Sequence, residues 1–307
     1  MVYTTTKLLN AIREDASLPS SAKNKFGDDK LLRILTEEND LRVTKLLLRE
    51  KADFYVEHVD IPLVANTSEY ALPSKAIGWS LYEIGFIGTD GQYMSVGKSS
   101  LNYQSAYNVM VPTSTPRLVF IEGNKLITQP KINDSPQGSF RLYYERKQSE
   151  FTTVAACGRI SEVNSNDTNY LLTVDSVPIL SDGVDVIAGT NPFGIISENQ
   201  TATAVGSVLN ILKTSFVITP TVGDYVTPTG KTCIPHVPEE MHSALVRCAV
   251  ARCIGMIGGA NNANNYAIAE KERDTVLELA RQSLKSRIQN RPKKLISKNF
   301  VLNLMRY

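Results

Sequence analysis

The spacing of apolar residues changes period twice along the chain, dividing it into helical ends and a β middle. Thr5-Thr-Lys-Leu-Leu-Asn-Ala-Ile12 opens a first helix that runs to about residue 16 and stops at the loop Leu18-Pro-Ser-Ser21. Asp28 or Asp29 then stands where a carboxylate meets the free backbone N–H groups of a helix start. Leu31, Leu35, Leu46 and Leu47 mark a long second helix to about Tyr55. Its stripe is interrupted at Glu38, Asn39 and Asp40 beside Leu41, which predicts a face near a subunit boundary.

From Val59 the period falls to two and turn residues crowd in. Asp90-Gly91 divides one pair of apolar-rich runs. Gly123-Asn124 divides Arg117-Leu-Val-Phe-Ile-Glu122 from Lys125-Leu-Ile-Thr-Gln129. A Gly-Asn pair supplies the positive φ that a two-residue hairpin requires, so a hairpin is predicted there. Ser139-Phe-Arg-Leu-Tyr-Tyr-Glu145 reads as another strand. Between Gly158 and Thr232, strands are predicted at 159–163, 170–174, 184–187, 208–212 and 216–219, with Gly223-Asp224 turning into Tyr225-Val226. Short strands at such spacing suggest a small barrel or sandwich.

Helical spacing returns after Pro238. Glu239 and Glu240 fall in a first turn, where carboxylates complement the helix dipole. Ala244, Cys248, Ala251 and Gly255 form a stripe of small residues that lets another helix approach closely. Val276, Ala280, Leu284 and Ile288 give the apolar face of a last helix, ended by Pro292. The expected fold is therefore α+β: helices at 5–16, 28–56, 239–257 and 266–290 form one bundle into which antiparallel β units are inserted. The divisions are 1–58, a first β unit at 59–151, a second at 152–237, a helix hairpin at 238–291 and an extended arm at 292–307.

Charge adds one feature to this picture. The chain has 307 residues and a net charge of +2, yet the stretch Arg281–Tyr307 holds eight lysines or arginines and no acid. Lys285, Arg287, Arg291, Lys293 and Lys294 are candidates for contact with phosphate or with an acidic partner. The closing Lys298-Asn-Phe-Val-Leu-Asn-Leu-Met-Arg-Tyr307 interleaves cations with apolar residues. An added strand would place Phe300, Leu302, Leu304 and Tyr307 against a partner, with Lys298 at its edge.

The chemistry of enzymes leaves no comparable trace. Cys233, His236, His242, Cys248 and Cys253 invite a zinc reading, but His242 and Cys253 on one helix stand about 16 Å apart along its axis. Buried thiols are the expectation instead, in a reducing compartment. Thr229-Gly-Lys-Thr232 echoes a phosphate-binding loop, yet Tyr225 occupies the position of the required first glycine. No Gly-x-Ser-x-Gly elbow accompanies His58, His236 or His242. The thirteen tyrosines are expected on sheet faces. No export signal, no bilayer-spanning apolar run, no cofactor and no metal are expected, and the protein is read as a non-enzyme.

Taken in order, the helical start, Ser68-Glu-Tyr-Ala-Leu-Pro-Ser-Lys-Ala-Ile-Gly78, Pro116-Arg-Leu-Val-Phe-Ile-Glu-Gly-Asn-Lys-Leu-Ile-Thr-Gln-Pro130, Val222-Gly-Asp-Tyr-Val226 and Ile234-Pro-His-Val-Pro-Glu-Glu-Met-His242 resemble head-to-tail connector (adaptor) proteins of tailed bacteriophages. The resemblance implies a virion protein made in the host cytoplasm. It implies a ring, typically twelvefold, between the capsid portal and the tail or nozzle proteins, with genomic DNA passing through its channel without sequence readout. It also implies that the C-terminal arm reaches the portal. Other readings of the same sequence are a different tail or collar component, or a nucleic-acid-binding protein acting through the basic end.

Overall fold

The computed structural model describes residues 3–17, 26–50, 54–99, 111–189, 194–216, 218–257 and 263–286. The chain divides into two compact units, Lys51–Ser149 and a second assembled from Met1–Glu50 with Glu150–Tyr307.

The Lys51–Ser149 unit is all strand: β1 (Val56–Pro62), β2 (Glu69–Ala71), β3 (Ala76–Ile87), β4 (Tyr93–Ser95), β5 (Gly97–Lys98), β6 (Leu118–Glu122), β7 (Lys125–Gln129) and β8 (Ser139–Arg146). They form two four-stranded sheets, β1-β8-β3-β4 and β2-β7-β6-β5. Strict alternation in β8 sends Phe140, Leu142 and Tyr144 inward and leaves Arg141, Tyr143 and Glu145 half-buried on the other face. Phe140 meets Tyr70 of the other sheet edge-on, ring centroids 5.2 Å apart. One core of Leu72, Ile84, Phe86, Val119, Leu126 and Leu142 thus joins the two sheets as a sandwich. The Gly-Asn hairpin forms as the spacing predicts: Glu122 pairs with Lys125 across a two-residue loop, and Gly123 has φ +56.

The second unit contains α1 (Thr5–Asp15), α2 (Asp28–Glu38), α3 (Thr44–Glu50), the short strand β9 (Glu150–Phe151), β10 (Gly158–Ser165), β11 (Asn169–Val174), β12 (Val184–Ile187), β13 (Ile195–Gln200), β14 (Ala202–Val205), β15 (Val208–Leu212), β16 (Tyr225–Pro228), β17 (Lys231–Thr232), α4 (His242–Ile257) and α5 (Ala263–Ser286). A π-helical turn, Asn39–Val43, joins α2 to α3. Seven strands form one antiparallel sheet in the order β13-β12-β16-β10-β11-β15-β14. The two outermost strands are consecutive in the chain, separated only by Thr201, so the sheet curls into a nearly closed barrel. Ile160, Leu172, Val186, Leu209, Ile211 and Val226 fill the interior.

A carboxylate shapes the barrel. All four residues of β12 are buried, including Asp185. The β12–β13 register shifts between Val184 and Val186, and Asn199 takes φ +49 at that irregularity. The Asp185 carboxylate accepts the Asn199 N–H at 2.7 Å and the Gly230 N–H at 2.8 Å, satisfying backbone groups that the ladder leaves unpaired. Asp224 does the same for Gly189 and Thr221.

These findings correct the expected fold class. The protein is mostly β, 35% strand, with a nearly closed barrel sheet and five α-helices among the described residues, rather than a helical bundle carrying β insertions. The sandwich and the barrel each bury a full apolar core, so neither depends on a helical scaffold for burial. The helices form a smaller layer in which Leu8, Ile12, Leu31, Leu35 and Leu245 are fully or almost fully buried. Two strand assignments also change. Residues 213–215 form a 3₁₀ turn and Phe216 leaves the sheet to pack edge-on against Tyr170, so none of the described residues of 216–219 lies in a strand. Its place in the barrel is taken by β13 and β14, whose Ser197-Glu-Asn-Gln-Thr201 stretch carries no apolar alternation.

The small-residue stripe of α4 does admit close neighbours. Ala244, Cys248 and Ala251 are buried, and a Cβ on Gly255 would lie 2.8 Å from the Tyr266 ring of α5.

Candidate functional site

The helix α2 has two faces with different fates. Leu31, Ile34 and Leu35 turn into the core, while Asp29, Arg33, Thr36 and Glu37, with Asp40 of the following π-helical turn, line an open groove of about 680 Å³. The opposite wall is the extended chain Glu150–Thr153, which includes β9, and Lys231 of β17. Two contacts hold these walls in place. The Phe151 N–H donates to the Thr36 hydroxyl at 3.0 Å, and that hydroxyl donates to the Leu32 carbonyl at 3.0 Å. On its other side β9 pairs in parallel with β17, Glu150 opposite Lys231. Leu32 and Phe151 give the groove an apolar floor. Its rim carries four carboxylates (Asp29, Glu37, Asp40, Glu150) against two cations (Arg33, Lys231). An open acidic groove with an apolar floor suits an extended, positively charged segment.

Directly behind the groove lies a network that fixes α2. Glu38 is buried, and its carboxylate accepts from Arg42 Nε at 2.8 Å and from Arg252 Nη1 of α4 at 2.9 Å. Arg252 also bonds Glu37. The hydrogen bond to Glu38, and the nearby Glu37 and Glu38 charges, raise the Arg252 pKa further. Glu38 and Asn39 are thus buried inside their own subunit, at the π-helical turn. This accounts for the interruption of the stripe at these two residues, while Asp40 is partly and Leu41 half exposed.

The sequence-predicted arm residues Lys298, Phe300, Leu302, Leu304 and Tyr307, with Arg287, Arg291, Lys293 and Lys294, lie outside the described residues. Lys285 falls in the last turn of α5. The structure therefore brings none of them into a described site.

The candidates weighed for metal or nucleophile chemistry are dispersed. Cys157, Cys233, Cys248 and Cys253 are all buried free thiols. Burial pushes the Cys248 pKa up to about 12 and that of Cys253 to about 11, so both stay protonated. Cys157 is also raised, by its hydrogen bond to Cys233 and by burial. These two thiols share one small cluster at the neck of the barrel, immediately before β10 and after β17. Among the described residues no three His, Cys, Asp or Glu side chains are grouped to hold a metal ion. Gly230 belongs to the β16–β17 turn, its N–H bonded to Asp185, and Lys231 opens β17.

A second surface stands on the sandwich. His58, Tyr143 and Tyr93 make a cross-strand aromatic row, with centroid separations of 5.5 and 6.2 Å. Tyr93 lies over Gly85, where a Cβ would fall 2.0 Å from its ring, and its hydroxyl donates to Glu83 at 2.6 Å. Arg141 makes two 2.7 Å bonds to Asp60 beside this row. These polar groups already satisfy one another.

Sequence reasoning missed both the groove and the Arg252 network. Thr36 and Phe151 are 115 positions apart, and Glu38 and Arg252 are 214 apart. Only the Glu38-to-Arg42 spacing of four was available as a local signal. No protein-family model matches the chain, and no curated protein is significantly similar to it.

Proposed function

We propose that this chain is a structural subunit of a homo-oligomeric ring at the head–tail interface of a tailed-phage virion, between the portal and the tail. The observation that carries the reading is the acid-free stretch Arg281–Tyr307, eight cations interleaved with apolar residues on a chain whose remaining residues are net acidic. Such a segment suits an arm that adds to a partner's strand edge, backbone hydrogen bonds giving affinity and alternate side chains giving register. Burying three or four of its apolar side chains contributes about 1.5–3 kcal/mol each, enough to offset the ordering of a short arm. In this role the protein acts as a docking scaffold and performs no catalysis. Lys and Arg near a channel contact DNA phosphates reversibly and in a salt-dependent manner.

Native mass spectrometry of the full chain tests the ring, with a closed assembly near twelve copies expected. A monomer or an isologous dimer refutes it. Deleting residues 296–307 tests the arm. The truncated protein is expected to keep the wild-type circular dichroism spectrum and melting temperature while no longer joining the portal. Normal joining by the truncated protein refutes the docking role.

A further inference from the structure

We propose that the groove between α2 and β9 receives the basic stretch Arg287–Lys298 from a second copy of this chain, as the contact that links neighbouring subunits. The proposal rests on the ring reading above and assigns one of its interfaces.

Three observations converge. The first is charge. The groove rim has an excess of carboxylate, and Asp29 and Glu150 are exposed with no ion-pair partner among the described residues. The stretch Arg287–Lys298 carries five cations and no acid. The second is pattern. Within Lys293-Lys-Leu-Ile-Ser-Lys298, cations flank the apolar pair Leu295-Ile296. An extended chain can set one of these apolar side chains on Leu32 and Phe151 while the lysines face Asp29 and Glu150. The third is length. From Asp29 to Asp40 the groove follows eleven residue steps of helix, about 16 Å at 1.5 Å per residue. About five residues of extended chain at roughly 3.3 Å each cover that distance, which matches this motif. The apolar end from Phe300 to Tyr307 lies beyond it and remains available to a different partner.

A second copy is the donor because a ring uses two different patches on each subunit, an arm on one side and a receiving surface on the other. The groove and the arm supply such a pair.

Reciprocal charge reversal in the full chain tests this. One variant carries Asp29→Lys with Glu150→Lys, the other Lys293→Glu with Lys294→Glu, and a third combines all four. All the altered groove side chains are exposed, so circular dichroism is expected to match wild type in each. Assembly is read by native mass spectrometry and by sedimentation over a salt series. Each reversal alone is expected to raise the assembly midpoint concentration about tenfold or more, with the fourfold variant regaining assembly. Mixing the two single-sided variants matches each arm to the groove of the other variant, so an alternating mixed assembly is expected although neither variant assembles alone. If wild type forms a ring and the groove variant assembles equally well at all salt concentrations, the groove binds something else, and this inference falls while the ring reading stands. If the mixture yields no mixed assembly, the arm does not reach the groove of a second copy and the inference also falls. A monomeric wild type overturns the ring reading itself, and this interface with it.

Discussion

Replacing Arg252 with methionine isolates the ion network that ties α2 to α4. Methionine preserves most of the apolar stem but removes the guanidinium that donates to Glu38 at 2.9 Å and also bonds Glu37. The Glu38 side chain is only 5% exposed and then keeps a single partner, Arg42 Nε at 2.8 Å. Removing one partner of a fully buried pair costs about 3–5 kcal/mol, because the remaining charge stays desolvated. Here Arg252 is 30% exposed and Arg42 persists, so a loss of about 2–3 kcal/mol is expected, near the value of a charge-assisted hydrogen bond. For a unit of this size that corresponds to a fall of about 5–10 °C in melting temperature, measured by calorimetry or circular dichroism. The double variant with Glu38→Gln is the sharper assay, since a neutral amide no longer strands a charge. It should be less destabilised than the sum of the two single variants, by about 1–2 kcal/mol. An Arg252→Met protein melting within about 1 °C of wild type, or strictly additive single effects, would refute the view that Glu38 depends on Arg252.

Two further outcomes follow from buried groups. Asp185→Ala strips an acceptor from the Asn199 and Gly230 N–H groups, so a loss of about 2–4 kcal/mol is expected in urea unfolding, with Asp185→Asn milder because it keeps one acceptor oxygen. An unchanged urea midpoint would show that water or a relaxed turn replaces the carboxylate. His242 is held below its ordinary pKa by burial, against the opposing pull of the Val237 backbone, Glu239 and Glu240, and its ring packs on Tyr3 at 4.8 Å. The unfolded chain then binds the proton more readily, so stability is fully present above about pH 6.5 and declines as pH falls through that value toward the depressed folded one. Wild type should lose more melting temperature than His242→Phe on acidification across this window, and equal losses would contradict the assignment.

Local signals in the sequence decided the local structure. The positive φ available to Gly123 set the β6–β7 hairpin, and the alternation from Ser139 onward set which face of β8 is buried. Small residues at Ala244, Cys248, Ala251 and Gly255 marked the closely packed face of α4. The acid-free C-terminal stretch is a property of sequence alone. What periodicity could not weigh was the balance between elements, and the expected helical bundle gave way to a mostly β protein because the sandwich and the barrel each bury their own core. The polar strands β13 and β14 escaped notice because their place in the barrel is held by backbone pairing and by the Asp185 carboxylate rather than by apolar alternation. Glu38 shows the same limit from the other side. Its charge reads as exposure in a local window, but an arginine 214 positions away makes burial tolerable. Period and turn chemistry act over a few residues and are legible in the sequence, whereas charge compensation and groove walls join distant segments and exist only once the chain has folded.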